Sequence, residues 1–140
     1  MSEFPTGTLM AGKRGLIMGV ANKNSIAWAI AQQLAAQGAE LAFTYQGDKL
    51  LRRVKPLAAS VGSDFLLDCD VTDDAQMEAT FAALADKWGE SDFLVHAIAF
   101  AGRDQLEGSF VESTTRDGFK SALDISAYSF VDAARRGSAI

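Results

Sequence analysis

The chain has 140 residues, of which 49% are hydrophobic and 22% are charged, a composition typical of one soluble globular domain. Its net charge of −5 argues against electrostatic binding to nucleic acid or to an anionic membrane surface. With one cysteine and one histidine, the chain cannot form an intrachain disulfide, and we expect no metal site.

The amino-terminal residues 1–13 lack a basic segment followed by an apolar run, so we predict no secretory signal. No apolar stretch approaches the roughly 20 residues needed to cross a bilayer. We therefore expect a cytoplasmic protein with neither a membrane nor a nucleic-acid partner.

Short apolar runs alternate with longer amphipathic ones along the chain. Residues 15–19 predict a buried strand that ends in glycine. Residues 25–37 predict a helix, because their apolar side chains recur near every 3.6 residues. Gly38 follows at the place where a glycine commonly ends a helix.

The same succession then repeats. Residues 41–45 predict a second strand. Residues 48–61 predict a second helix, which we expect to be interrupted or bent near Pro56. Residues 64–68 predict a third strand.

Asp73 or Asp74 can cap a third helix that runs to about Trp88. The nearly continuous apolar run over residues 93–98 is typical of a central parallel strand that is covered on both faces. Two helical segments are expected beyond it, around residues 115–123 and 125–136.

Alternation of this regularity predicts an α/β fold, a Rossmann-like doubly wound parallel sheet. The chain holds about four to five of its strands, so we treat residues 1–140 as a single, partial dinucleotide-binding domain. Ligands of such sheets bind outside the carboxyl ends of the strands. The residues that follow each predicted strand are therefore the candidate site residues.

After the first strand, Gly19 permits a sharp turn and the small Ala21 lets a ligand approach the backbone. Ser25 begins the next helix, where free backbone N–H groups and the helix dipole favour a pyrophosphate. The alternative is that Gly19 only turns the chain and Ser25 only caps the helix.

The second strand ends at Gln46, a neutral side chain that can both donate to and accept from the hydroxyls of an adenosine ribose. It offers nothing strong to a 2′-phosphate, so NAD is favoured over NADP. Lys49, Arg52 and Arg53 follow within two helical turns, so NADP stays open. Gln46 can also be a plain exposed turn residue.

The third strand is followed by Asp70 and Val71. The Asp70 carboxylate can accept a hydrogen bond from an adenine amino group while Val71 packs beside the ring. The alternative is that Asp70, Thr72 and Asp73 all cap the start of the next helix, which is the more common use of such clusters.

The fourth strand is followed by small residues at positions 97, 99 and 101, which would let a nicotinamide riboside lie against the backbone. His96, the one histidine of the sequence, lies inside this apolar strand. We interpret it as a neutral core residue rather than a proton donor.

Five segments carry a resemblance to a known family. They are residues 19–27, 38–46, 69–71, 94–101 and 124–130. They resemble bacterial enoyl-acyl-carrier-protein reductases of the type called FabI, within the short-chain dehydrogenase/reductase superfamily. The likeness runs in register from about Gly12 to Phe130 and is far more specific than a glycine-rich turn.

The resemblance implies that NADH, the reduced form of NAD, delivers hydride to the β-carbon of a trans-2-enoyl-acyl-carrier-protein. The product is the saturated acyl-carrier-protein of fatty-acid biosynthesis. The resemblance also implies a homo-oligomer, usually a tetramer.

The resemblance further assigns roles to residues of this chain. Gly19, Ser25 and Ile26 would contact the pyrophosphate and its neighbouring ribose. Gln46 would hold the adenosine ribose. The remaining positions are assigned to the adenine (Asp70, Val71), the nicotinamide (Ile98) and the acyl substrate (Ala101).

The chain departs from the family pattern at three places. Ala99 stands where the family often has glycine. Residues 137–140 resemble the start of the next strand, so the helix from about Ile125 is expected to be roughly two turns shorter than in the family. The family's catalytic tyrosine and lysine, with six residues between them, have no counterpart, because arginine stands seven positions after both Tyr45 and Tyr128. We therefore expect the chain to hold cofactor-site residues, no catalytic residue, and no activity on its own.

Three alternatives stay open. Another short-chain reductase, such as a ketoacyl reductase, would usually carry more glycines in the first turn and Asn-Ala-Gly after the fourth strand. A methyltransferase that binds S-adenosylmethionine would be expected to place an acidic residue where Gln46 stands. The third alternative is a non-catalytic NAD-binding fragment.

Overall fold

The fold was analysed in a computed structural model that describes residues 4–140. Four parallel strands form one sheet in the spatial order β3-β2-β1-β4. The strands are β1 (Arg14–Met18), β2 (Glu40–Tyr45), β3 (Leu66–Asp68) and β4 (Phe93–His96). The helices are α1 (Ile26–Ala36), α2 (Gly47–Ser60), α3 (Asp74–Trp88), α4 (Phe110–Ser113), α5 (Arg116–Leu123) and α6 (Ser129–Gly137).

The sheet buries a core on each of its faces, because successive side chains of a strand point to opposite sides. Leu16 and Met18 of β1 pack in a cluster with residues of α3 and α6. Ile17, between them, packs in a second cluster with residues of α1 and α2. The predicted doubly wound α/β fold is therefore confirmed. In the described residues 4–140, no helix is long and apolar enough to cross a membrane.

Two helix ends follow the predicted chemistry. Gly38 adopts a φ of 96° after α1, and its N–H donates to the carbonyl of Ala35 while that of Ala39 donates to Leu34. This pair of bonds is a Schellman motif, which satisfies the last carbonyls of the helix. Asp73 caps α3, because its side chain accepts from two backbone N–H groups of the first turn.

Three predictions about the elements are corrected by the structure. α2 is uninterrupted through Pro56, whose ring is exposed, so the carbonyl that loses its N–H partner can be hydrated. Among the described residues β4 pairs only with β1 and its residues are half-buried, whereas the sequence predicted a central strand covered on both faces. Residues 137–140 are not the start of a strand, because they form the last residue of α6 and the turn after it.

The predicted helical segments after the loop join into one continuous helical stretch. Between α5 and α6 lies a π-helical segment, Asp124–Tyr128. A π-helical turn holds one more residue than an α-helical turn and is rare outside functional sites. A short 3₁₀ turn, Arg103–Gln105, and α4 precede α5 in the connection from β4.

Candidate functional site

A groove crosses the carboxyl ends of all four strands. One part of it, the first cleft, of about 460 Å³, extends from the end of β3 to the end of β4. A second, more open cleft shares four residues with it, Gly19 and residues 97–99, and continues toward α6. The sheet order reverses between β1 and β4, and doubly wound sheets bind their ligands at such a reversal.

Gly19 forms the floor of the groove where β1 turns toward α1. Its φ is 113°, a conformation that L side chains rarely adopt, and a Cβ there would lie 2.1 Å from the carbonyl oxygen of Ala97. Both restrictions require glycine. The absence of a side chain leaves the space between the ends of β1 and β4 open to a ligand.

Ser25 organises the turn that follows. Its hydroxyl oxygen accepts from the backbone N–H groups of Ala21 (2.9 Å) and Asn22 (3.1 Å). Ser25 is the N-cap residue of α1, but its side chain bonds to the preceding turn and makes no capping bond to the helix. The hydroxyl hydrogen is not used in either bond and is free to donate to a ligand.

The first turn of α1 offers backbone donors to the groove. Ser25 and Ile26 line the cleft at this point. The backbone N–H groups of Ile26 and Ala27 have no acceptor in the described part of the chain, as is usual for the first residues of a helix. Such N–H groups, at the positive end of the helix dipole, suit a phosphate.

Gln46 and Asp70 form a polar pair across the ends of β2 and β3. The Gln46 amide donates to Oδ2 of Asp70 at 2.9 Å. Oδ1 of Asp70 accepts from both the backbone N–H (2.9 Å) and the hydroxyl (2.7 Å) of Thr72. Oδ2 therefore keeps one lone pair, and Gln46 keeps its carbonyl oxygen, for a ligand.

The electrostatics of this end of the groove are negative. The hydrogen bonds from Thr72, above all, lower the pKa of Asp70, so its carboxylate is charged at neutral pH. Burial raises the pKa of the Tyr45 phenol, and the nearby carboxylates of Asp68 and Asp48 raise it further. These carboxylates disfavour an additional phosphate at the end of β2, whereas Lys49, Arg52 and Arg53 on α2 would attract one.

The other end of the groove is apolar and lies over β4. Ala97, Ile98 and Ala99 line both clefts. His96 points to α6, where its Nε2 lies 2.7 Å from the hydroxyl oxygen of Ser129, and its ring contacts Phe130 edge-on. Burial lowers the pKa of His96, which keeps the imidazole neutral near pH 7, as the sequence predicted.

The structure brings together most of the predicted site residues. Seven of the eight line one of the two clefts: Gly19, Ser25, Ile26, Gln46, Asp70, Val71 and Ile98. The eighth, Ala101, does not line either cleft. Their contacts with a ligand stay predictions.

The sequence analysis missed several wall residues. Leu50, Phe100 and Ile125 line the first cleft and Ser126 lines the second one. Leu50 follows Gln46 by one helical turn, so the helical period could have indicated it. Ile125 and Ser126 belong to the π segment, which the 3.6-residue period does not reveal.

Comparisons with known proteins agree with this geometry. The sequence profile of the family described as "Enoyl-(Acyl carrier protein) reductase" matches residues 19–140. The chain is 58% identical over 130 residues to "Enoyl-[acyl-carrier-protein] reductase [NADH] 2" of Rhizobium meliloti, covering 93% of this chain and 48% of that protein. It is 54% identical over 126 residues to the FabI enoyl-[acyl-carrier-protein] reductase [NADH] of Escherichia coli, covering 90% of this chain and 48% of that protein. The chain thus spans about half the length of these curated relatives.

A solved structure has the same fold. It is the enoyl-(acyl-carrier-protein) reductase of Anaplasma phagocytophilum in complex with NAD. The two chains superpose with a TM-score of 0.92 at 43% sequence identity, over 98% of this chain and 52% of that one.

Proposed function

The chain belongs to the enoyl-(acyl carrier protein) reductase family, and on that premise we propose that it forms the NADH-binding part of an NADH-dependent enoyl-acyl-carrier-protein reductase. The observation that carries the proposal is the groove at the carboxyl ends of four parallel strands, where the sheet order reverses. Relatives named for NADH and a similar structure in complex with NAD support it.

The residues present fit a dinucleotide from end to end. Glycine is required at position 19 because a Cβ would fill the gap beside Ala97. The free N–H groups of Ile26 and Ala27 and the free hydroxyl hydrogen of Ser25 provide donors for a pyrophosphate. With the pyrophosphate there, the adenosine would lie over β2 and β3 and the nicotinamide riboside over β4.

The Gln46–Asp70 pair would select the adenosine half. The carbonyl oxygen of Gln46 can accept from a ribose hydroxyl, and Oδ2 of Asp70 can accept from the adenine amino group. Val71 would pack beside the ring. Because Gln46 is neutral and offers nothing strong to a 2′-phosphate, and Asp48 and Asp68 lie near Tyr45 at this end, we propose NADH rather than NADPH.

When bound, NADH supplies a hydride for the β-carbon of a trans-2-enoyl thioester, which becomes the saturated acyl chain. This chain's own residues would orient the nicotinamide, with Ile98 beside it and Ala101 bordering the acyl group. The sequence contains no tyrosine followed seven positions later by lysine. We therefore expect the 140-residue chain to bind NADH without reducing an enoyl substrate.

The proposal also covers the binding partners of the chain and its location in the cell. The acyl carrier protein would deliver the substrate, in the cytoplasm. We also propose self-association, because exposed apolar side chains concentrate after β4. Sedimentation at several protein concentrations tests the assembly.

The decisive experiment is a titration of the purified chain with NADH and with NADPH, followed by nicotinamide fluorescence. We expect saturable NADH binding, and binding of NADPH that is at least about tenfold weaker, since a like charge near the ribose is unfavourable. Gln46→Ala and Ser25→Ala are each expected to weaken NADH binding roughly three- to tenfold, the effect of one lost hydrogen bond.

Gln33→Ala is the matched control, because Gln33 is exposed on α1, away from the groove. It should leave the affinity for NADH unchanged. A folded, monodisperse chain that does not bind NADH would overturn the proposal. Equal affinity for NADPH would overturn the ribose argument, and turnover of an enoyl thioester by the chain alone would overturn the expectation that it holds no catalytic residue.

A further inference from the structure

The π segment Asp124–Tyr128 lies against the nicotinamide end of the groove. Its Ile125 lines the first cleft, and Ser126 and Ala127 line the second one. The segment follows α5 and precedes α6 without a break, so its backbone path is set by the change from α-helical to π-helical bonding. The proposed function assigns it no role.

The change of bonding is stabilised by two side chains. The backbone N–H of Ser129 donates to the carbonyl of Asp124, five residues earlier, instead of to Ile125. The Ser129 hydroxyl donates to the Ile125 carbonyl at 2.5 Å in its place. Nε2 of His96 lies 2.7 Å from the same hydroxyl oxygen. β4 is thereby tied to the π segment.

The π segment in turn holds the loop that follows β4. The Ser126 hydroxyl accepts from the backbone N–H of Phe100 at 3.0 Å and donates to its carbonyl oxygen at 3.2 Å. One side chain thus satisfies both backbone groups of a loop residue that has no strand partner. Without the Ser126 hydroxyl, few hydrogen bonds would hold the loop that follows β4.

We infer that Ser126 is a positioning residue for the nicotinamide end of the site, acting through the backbone of Phe100. By fixing Phe100, it fixes residues 97–99, which line both clefts. Ser126 does not reach the adenosine end, which is built from the ends of β2 and β3. The inference rests on the proposed function, and it names which part of the dinucleotide the π segment serves.

The test is the variant Ser126→Ala in the 140-residue chain, titrated with two probes, NADH and ADP. NADH occupies both ends of the groove, whereas ADP occupies only the adenosine and pyrophosphate end. We expect the affinity for NADH to fall roughly three- to tenfold and the affinity for ADP to change less than about twofold. Alanine is a good helix former, so the fold is expected to persist, and the thermal midpoint checks this.

Ser121→Ala is the control, because Ser121 is exposed on α5 and its hydroxyl makes no hydrogen bond in the described part of the chain. It should change neither affinity. An unchanged affinity of Ser126→Ala for NADH would overturn the inference, and an equal loss for NADH and ADP would show a general structural role instead. If the wild-type chain does not bind NADH, whether or not it binds ADP, the proposed function is wrong. The inference is then overturned as well, because it rests on that function.

Discussion

Two regions of this chain bury their apolar side chains very differently. Residues 14–98 form the strands and helices of the sheet and place their large hydrophobic residues in two cores. Residues 100–131 contain nine of the twelve large hydrophobic side chains that are exposed in the described residues. Phe43 is fully buried in the first region, whereas Phe110 is 72% exposed in the second.

The two regions are also held together by different forces. The first is stabilised by apolar burial on both sheet faces. The second depends more on hydrogen bonds: Gln105 accepts from the backbone of Thr115, and Ser126 bonds both backbone groups of Phe100. The first region forms the floor of the groove and its adenosine end, whereas the second contributes wall residues at the nicotinamide end and presents a surface that the proposed self-association would cover.

The comparison predicts its largest effect for a matched pair of phenylalanines. Phe43→Ala should lower the free energy of unfolding by about 3–5 kcal/mol, because it opens a cavity in a packed core. Phe110→Ala should change it by less than about 0.5 kcal/mol, because the ring is exposed. Urea unfolding at low protein concentration, where assembly does not contribute, measures both. Equal losses would contradict the division into two regions.

A smaller effect is expected for a matched pair of glycines. Gly19→Ala would place a side chain at a φ of 113° and a Cβ 2.1 Å from a backbone oxygen. It should therefore lower the free energy of unfolding by about 3 kcal/mol and abolish NADH binding. Gly108→Ala has a φ of 80° and open space around it, so only the conformational cost of about 1 kcal/mol is expected. Thermal melting and NADH titration measure the pair. NADH binding by Gly19→Ala with wild-type affinity would show that the close approach to β4 is not needed.

The smallest effect concerns His96, which joins the two regions. Burial lowers the pKa of His96 in the folded chain below its ordinary value of 6.5. At a pH between the folded and the unfolded pKa, the unfolded chain therefore binds more protons than the folded chain. Its contribution to stability is complete above pH 6.5 and is lost as the pH falls through the lowered pKa. In melting curves between pH 7 and about 5, His96→Gln should show a weaker loss of stability than the wild type. Identical pH profiles would contradict the neutral assignment.

Much of the fold was predictable because its signals are local. The alternation of apolar runs and amphipathic segments predicted four strands and their helices. Gly38 and Asp73 marked helix ends correctly, since a left-handed glycine and a capping carboxylate act on neighbouring backbone groups. The predicted interruption at Pro56 was wrong because an exposed helix face tolerates one lost hydrogen bond.

The candidate site was predictable where it follows a strand directly. Gly19, Gln46 and Asp70 all lie at strand ends, so the rule that parallel sheets bind ligands there places them together. The bonds between them were not predictable. The contact of Gln46 with Asp70 depends on a distance that only the assembled sheet sets, whereas Ser25 accepts from N–H groups three and four residues earlier in the chain.

The sequence by itself thus determined the α/β class, the order of elements and the family, because each is recorded in local pattern and residue identity. The tertiary structure alone decided that Ser126 holds Phe100 and that His96 meets Ser129. The physical reason is that these contacts join residues 26 and 33 positions apart in the chain. Hydrogen bonds of that kind form only after hydrophobic burial has brought the segments together.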